Sequence, residues 1–115
     1  MGKSISRLRT LAFTKQGGRC YYCELPMYES DSAAFRRQWN LTLRQSTSFL
    51  CTAEHLVPRS EGGKNLQANI VAACRLCNQT RHRRRKAPTP ERWKEIRKCW
   101  RPFQLREAVF RAQAR

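Results

Sequence analysis

Two short patterns in this sequence contain residue types that can do chemistry. The first is the pair Glu54-His55, which follows an apolar run and lies just before Pro58. Histidine exchanges protons near neutral pH, and a carboxylate binds cations, so this pair suits acid–base or metal-assisted hydrolysis. The second is a Cys-x-x-Cys spacing that occurs twice, at Cys20-Tyr21-Tyr22-Cys23 and at Cys74-Arg75-Leu76-Cys77.

The two cysteine pairs predict one structural zinc site with four ligands, Cys20, Cys23, Cys74 and Cys77. Zinc prefers tetrahedral coordination by thiolates and imidazoles, and its binding can contribute ~10–16 kcal/mol to the folding of a small peptide. A redox pair and four unrelated cysteines are the alternatives.

Two further cysteines have no partner at metal-binding spacing. These are Cys51 and Cys99, and we expect buried thiols at both positions. One competing set remains, because Cys51 lies four residues before His55 and the two could share a metal. That set would consume the histidine and leave one Cys-x-x-Cys pair idle.

The charge of the chain predicts a polyanionic partner. Lys and Arg number 24 against 8 Asp and Glu, which gives +16 over 115 residues. Such an excess repels itself without an anionic partner, and nucleic acid is the obvious one. An acidic membrane surface and an ordinary solvated basic surface are the alternatives.

The length favours a single domain, and the following absences predict that it lies in the cytoplasm. The sequence has no run of about 18 apolar residues, so it encodes no membrane span, and its N-terminus lacks the apolar stretch of a secretory signal. In a reducing compartment, paired cysteines favour a metal over disulfides.

Periodicity and capping residues predict helices near both ends of the chain. A helix over 4–16 would be capped by Ser4 and ended by Gly17-Gly18. Thr89 would cap a helix with Pro90 at its first position, and residues 103–115 could form another amphipathic helix.

The middle of the chain predicts the elements that must position the chemistry. We expect strands over 49–57 and 69–73, and then a helix from near Cys74 to about Arg85. Within the segment before the first strand, 33–37 could be a short helix and 40–49 an extended excursion.

These motifs resemble the HNH endonuclease family. The likeness rests on Gly17-Gly18-Arg19-Cys20-Tyr21-Tyr22-Cys23, on Glu54-His55-Leu56-Val57-Pro58, on Gly62-Gly63, and on Asn69-Ile70-Val71-Ala72-Ala73-Cys74-Arg75-Leu76-Cys77-Asn78. It covers roughly residues 17–23 and 53–86. The resemblance implies a small α+β fold with a ββα-metal core, in which a hairpin packs on a helix around one catalytic divalent ion.

The expected organisation is one nuclease domain over 1–115. Its core would be 17–23 and 49–86, which carry the four-cysteine zinc site. Residues 24–48 would be an insertion, and 89–115 would form C-terminal helices beside the N-terminal one.

The resemblance also implies roles for individual residues. His55 would be the general base that takes a proton from water, and Asn69 would hold its imidazole or the surrounding loop. Glu54 and Asn78 would bind the catalytic ion, which is Mg²⁺, or Mn²⁺ or Ni²⁺ in its place. Oxygen ligands of this kind suit magnesium and manganese.

The sequence departs from the family pattern at both metal-binding positions. Glu54 is found where aspartate is more usual, and Asn78 where histidine is expected. His82 shares a helix face with Asn78 and is an additional candidate ligand, although it could instead contact phosphate or solvent. Asn65 is an alternative to Asn69, but its distance from Cys74 fits the motif less well.

A run of basic residues follows the second cysteine pair and is predicted to contact backbone phosphates. Its members are Arg75, Arg81, Arg83, Arg84, Arg85 and Lys86. The sequence therefore predicts an HNH-type endonuclease that hydrolyses DNA with a divalent ion. The alternatives are a non-catalytic zinc module that binds DNA or RNA, and an enzyme that acts on RNA.

Overall fold

A two-stranded antiparallel hairpin lies at the centre of the molecule. The computed structural model describes residues 2–99, without the side chain of Cys99, so the predicted helix over 103–115 lies outside the described residues. The strands are β1 (Cys51–His55) and β2 (Ile70–Cys74). Cys51 pairs with Cys74 and His55 with Ile70. The hairpin therefore brings the reactive pair and the second cysteine pair into one sheet.

The first helix covers the hairpin and begins and ends as the sequence predicts. Helix α1 spans Ile5–Lys15, and the Ser4 side chain accepts a hydrogen bond from the Arg7 amide at 3.2 Å. The chain leaves it through Gly17-Gly18, both with positive φ. Just after the helix, the Gln16 amide group pairs with the backbone of Ala72 at 2.8 and 2.9 Å, which ties this end of α1 to β2.

The segment between the first cysteine pair and β1 contains two short helices. Helix α2 spans Ser32–Trp39, which agrees with the predicted short helix. Helix α3 spans Leu43–Thr47, so the prediction of an extended excursion over 40–49 is wrong. The reason is a capping box, in which the Thr42 and Gln45 side chains each accept a hydrogen bond from the other's backbone amide.

Helix α4 spans Arg75–His82 and packs against both strands of the hairpin. It ends earlier than the predicted Arg85, and residues 83–86 form a turn and bends instead. Helix α5 spans Pro90–Cys99, and Thr89 caps it by accepting from the Arg92 amide at 3.2 Å. The predicted start of this helix is confirmed.

The core lies where the hairpin, α4 and the first cysteine pair meet, and Trp93 of α5 reaches it. The predicted fold class is confirmed: this is a small α+β fold with a hairpin, flanking helices and a four-cysteine cluster. The division of the chain into a core, an insertion and C-terminal helices stays a prediction. No helix within residues 2–99 is long and apolar enough to cross a membrane.

Candidate active site and cysteine cluster

The four predicted cysteine ligands converge in the core. The Sγ atoms of Cys20, Cys23, Cys74 and Cys77 all lie within 4.8 Å of one another, and the four residues are buried. The Sγ atoms of Cys23 and Cys74 are 3.9 Å apart. Thiolates bound tetrahedrally to zinc at ~2.3 Å would be about 3.8 Å apart, which is close to the separation of Cys23 and Cys74, so the cluster could hold a zinc ion.

Backbone amides point at these sulfurs. The Tyr22 and Cys74 amides donate to Cys20 Sγ at 3.4 and 3.3 Å, and the Cys77 amide donates to Cys74 Sγ at 3.4 Å. The last of these contacts also caps α4. Amide donors of this kind stabilise thiolates, so the donor set suits a cation held by anionic sulfur.

The pKa values of Cys20, Cys74 and Cys77 are shifted in different directions. Burial opposes ionisation of Cys20, but hydrogen bonds from the three other cysteines bring its pKa well below the usual value. The pKa values of Cys74 and Cys77 are raised, chiefly because their side chains hydrogen-bond to Cys20 and Cys23. A metal that takes all four sulfurs must therefore displace protons.

Glu54 is the centre of a buried polar network at the end of β1. Its side chain is 1 % exposed. One oxygen, Oε2, accepts from the Tyr22 hydroxyl at 3.1 Å and from Arg81 Nη1 at 3.2 Å. The other, Oε1, lies 2.8 Å from His82 Nε2. Burial and the charge of Glu54 raise the pKa of Tyr22 well above its usual value, so the phenol stays protonated and donates.

Arg81 differs from the other predicted phosphate-binding residues because it is buried. Besides Glu54 and Tyr22, its guanidinium donates to the carbonyl oxygens of His55, Leu56 and Pro88 at 3.0 to 3.1 Å. It therefore fixes the carboxylate and the end of β1 from inside the protein. The other five members of that predicted run are exposed: Arg75, Arg83, Arg84, Arg85 and Lys86.

His55 lies on the other side of the strand end, and it is half-buried. Its Nε2 atom is 2.7 Å from Asn65 Oδ1. Arg59 Nη2 donates to the same oxygen at 3.0 Å, and Arg59 Nε lies 3.4 Å from His55 Nε2. Nε2 donates to Asn65 Oδ1 in one tautomer of the imidazole and accepts from Arg59 Nε in the other. In the first of these tautomers, Nδ1 carries the free lone pair.

Asn69 holds the loop beside His55, and its side-chain hydrogen bonds within the described residues go to the loop backbone rather than to the imidazole. Its Oδ1 accepts from the Val57 amide at 2.8 Å, and its Nδ2 donates to the Val57 and Lys64 carbonyls at 3.1 Å each. Gly63 allows the same loop to close, because a Cβ there would collide with the Val57 carbonyl oxygen. Asn69 thus holds the loop, and Asn65 contacts the imidazole ring of His55.

On the metal-binding side, the structure brings together Glu54 and His82. The amide nitrogen of Asn78 instead donates to β1, at Thr52 Oγ1 (3.0 Å) and at the Ala53 carbonyl (3.4 Å). Asn78 therefore braces α4 against the strand one residue before Glu54. Its predicted role as a ligand stays a prediction.

His82 is one-third exposed and opens onto a basic surface pocket. The pocket has a volume of about 340 Å³. It is lined by Pro58, Ser60, Glu61, His82, Arg84, Arg85, Lys86 and Ala87. In the part of the chain that the structure describes, the four cysteines form the one cluster of three or more metal-binding side chains of the types His, Cys, Asp and Glu. The competing set of Cys51 with His55 is not part of such a cluster.

Four residues near these centres were not assigned a role from the sequence: Asn65, Arg59, Tyr22 and Arg97. Asn65 was considered only as a substitute for Asn69, and Arg59 lies four residues after His55 without a motif to mark it. Tyr22 lies inside the first cysteine pair, so its contact with Glu54 depends on how that turn packs against β1. Arg97 donates to Cys77 Sγ at 3.1 Å. It lies 20 residues after Cys77, so no short sequence motif links the two residues.

The fold and site thus define a small domain in which a hairpin and a helix carry a buried carboxylate and two partly exposed histidines next to a four-cysteine cluster. Residues 44–84 match the family model described as HNH endonuclease, and the predicted resemblance is confirmed over that stretch. The match includes β1, β2 and α4 but neither Cys20 and Cys23 nor α5. No curated protein and no solved structure matches the chain. Members of the HNH family are usually nucleases.

Proposed function

We propose that this protein is a metal-dependent endonuclease that hydrolyses phosphodiester bonds in DNA. One observation carries the proposal: in the stretch that matches the HNH family, the buried Glu54 carboxylate meets His82 at 2.8 Å, next to a basic pocket. Two cis ligands of an octahedral ion at ~2.1 Å are about 3 Å apart, so the separation of this pair suits one shared divalent ion.

His55 is the proposed general base. The contact with Asn65 orients the ring, and we assign the tautomer in which Nε2 donates to Asn65 and Nδ1 accepts a proton from water. Asn69 and Gly63 hold the loop that carries this arrangement, so they act as positioning residues. A divalent ion bound at Glu54 and His82 would neutralise charge that develops on the phosphate.

The exposed basic residues on and after α4 are proposed to hold the DNA backbone. Arg84, Arg85 and Lys86 line the pocket next to His82, so a phosphate bound there would lie beside the proposed ligand pair. Such contacts to the backbone carry no base code. Binding of this kind weakens steeply as the salt concentration rises.

The decisive experiment is nicking of supercoiled plasmid by the purified zinc-loaded protein with added Mg²⁺, Mn²⁺ or Ni²⁺. His55→Ala should abolish nicking and keep DNA binding. Equal cutting by both proteins would show that the activity is a contaminant or that His55 is not the base. Glu54→Gln is a poor variant here, because it would leave Arg81 buried without its carboxylate.

The second candidate function is a non-catalytic zinc module that binds DNA or RNA. One observation favours it: Glu54 is already satisfied by Tyr22, Arg81 and His82, so the network is complete without an ion. Tight binding without nicking in any of the three metals would support this candidate and overturn the nuclease. Parallel reactions on RNA of the same sequence would show whether the substrate is RNA instead.

A further inference from the structure

Helix α5 makes two contacts with a single ligand of the cysteine cluster. The Trp93 indole Nε1 donates to the Cys77 carbonyl at 2.9 Å, and Arg97 Nε donates to the Cys77 Sγ at 3.1 Å. Trp93 and Arg97 are four residues apart on α5, so they lie on the same helix face. Both side chains are 1 % exposed.

The contact from Arg97 to sulfur differs from those that the backbone makes. Three backbone amide contacts to these sulfurs are 3.3 to 3.4 Å long, and the Arg97 contact is shorter at 3.1 Å. A guanidinium is also a permanent cation, so its hydrogen bond to a thiolate is charge-assisted and stronger than that of an amide.

The charge of a loaded cluster explains why such a contact is favourable. Four thiolates around one divalent zinc ion carry a net charge of about −2, and this charge would be buried. A cation in contact with one sulfur removes part of that cost. If Cys77 were a neutral thiol, the Arg97 guanidinium would have no negative charge at this sulfur to bind.

We propose that Arg97 is a positioning residue of the metal site, which stabilises the metal-bound Cys77 thiolate and couples the docking of α5 to metal occupancy. This helix lies outside the stretch that matches the HNH family, so the coupling would join an additional element of this chain to the zinc site. The proposal rests on metal binding by the four cysteines and does not depend on nuclease activity.

The test is the zinc affinity of Arg97→Met, measured by competition with a chromophoric chelator. Methionine keeps most of the side-chain volume and removes the cation. We expect affinity to fall about 10–100-fold, the usual effect of removing a group that supports a metal ligand. Arg97→Lys, which keeps a cationic donor, should recover part of the loss.

The matched control is Arg84→Met. Arg84 lies 5.1 Å from the Trp93 ring centroid, close to the 5.8 Å of Arg97, but it is not among the contacts of the cysteine sulfurs. Zinc affinity should be unchanged in this variant. An equal loss of zinc affinity in both variants would overturn the proposal, because the stacking of arginine on Trp93 would then account for the effect. Unchanged zinc affinity in Arg97→Met would also overturn it, because the contact with Cys77 would then not stabilise the metal site.

A spectroscopic measurement separates contact with sulfur from a general loss of stability. In cobalt-substituted protein, the sulfur-to-cobalt charge-transfer band should move to lower energy in Arg97→Met, because sulfur loses a hydrogen-bond donor. An unchanged band would contradict the proposal.

If Arg97→Met does not fold, hydrogen exchange on the wild type decides the matter. Amides of α5 should lose protection when a chelator removes zinc, and protection that persists would refute the coupling.

Discussion

Arg81 is buried, although arginine side chains usually lie on the protein surface. We expect Arg81→Met to destabilise the zinc-loaded protein by ~3–5 kcal/mol, the usual result of removing one partner from a buried ion pair. The 3.2 Å contact with Glu54 would be lost, and three backbone carbonyls would lose their donor. The individual contacts share one side chain, so their energies do not add and we take the value for the pair.

The magnitude is large compared with the stability of a domain of this size. Such domains are usually stable by ~5–15 kcal/mol, so the variant would lose between about a fifth and all of that stability. Arg83→Met is the matched control, because Arg83 is exposed and only two residues away. Its effect should stay within about 0.5 kcal/mol.

The assay is urea denaturation at a fixed concentration of free zinc, followed by circular dichroism. If Arg81→Met unfolds completely, Arg81→Lys replaces it, and we expect an intermediate loss because a cation remains without the fork of donors. A free energy of unfolding within about 0.5 kcal/mol of the wild-type value, in Arg81→Met or in Arg81→Lys, would refute the reasoning. DNA binding provides an independent check: Arg84→Met should lower the salt slope by about 1, whereas a folded Arg81 variant should leave it unchanged.

Three further predictions follow from the same contacts. Asn69→Ala should lower stability by about 1–3 kcal/mol in urea denaturation, because it leaves the loop groups that its amide holds unsatisfied, and an unchanged midpoint would contradict this. His82→Asn should reduce nicking in Ni²⁺ more than nicking in Mg²⁺, because imidazole suits nickel better than magnesium; equal losses would remove His82 from the ligand set. Zinc affinity should fall as pH falls, by about tenfold per pH unit for each proton displaced, because the raised pKa values of Cys74 and Cys77 keep these thiols protonated without metal. Competition titrations at pH 6 to 8 that show a flat profile would contradict that linkage.

Local signals were sufficient for several elements and for the cysteine cluster. Ser4 and Thr89 each cap the helix that follows, and both cap bonds are present. Each Cys-x-x-Cys pair presents its two sulfurs from one place, the first in a turn and the second at the start of α4, and the four sulfurs converge. A signal of the same kind was available for α3, since Thr42 and Gln45 have the spacing of a capping box, but the mixture of Leu, Thr and Ser around them favours no single structure.

Long-range electrostatics could not be predicted in the same way. A run of arginines after a cysteine pair is typical of a phosphate-binding surface, and the helical period together with the end of the helix separates Arg81 from its neighbours. Arg81 lies four residues after the buried Cys77 on α4, so it faces inward, whereas Arg83 and Arg84 follow the end of α4 at His82 and are exposed. Whether such an arginine is tolerated inside depends on an anion from elsewhere in the chain, and Glu54 is 27 residues away.

The contacts of Glu54 also explain how a glutamate can replace the more usual aspartate. Its side chain is one methylene longer, so a free carboxylate would have more orientations than an aspartate at the same strand position. Tyr22 and Arg81 both bind Oε2, and this leaves Oε1 directed at His82. Arg81 therefore fixes the orientation of the Glu54 carboxylate, which would otherwise vary more than that of an aspartate. On this reasoning Arg81 and Glu54 act as one unit, and a shorter acid at position 54 would no longer reach both the arginine and the histidine.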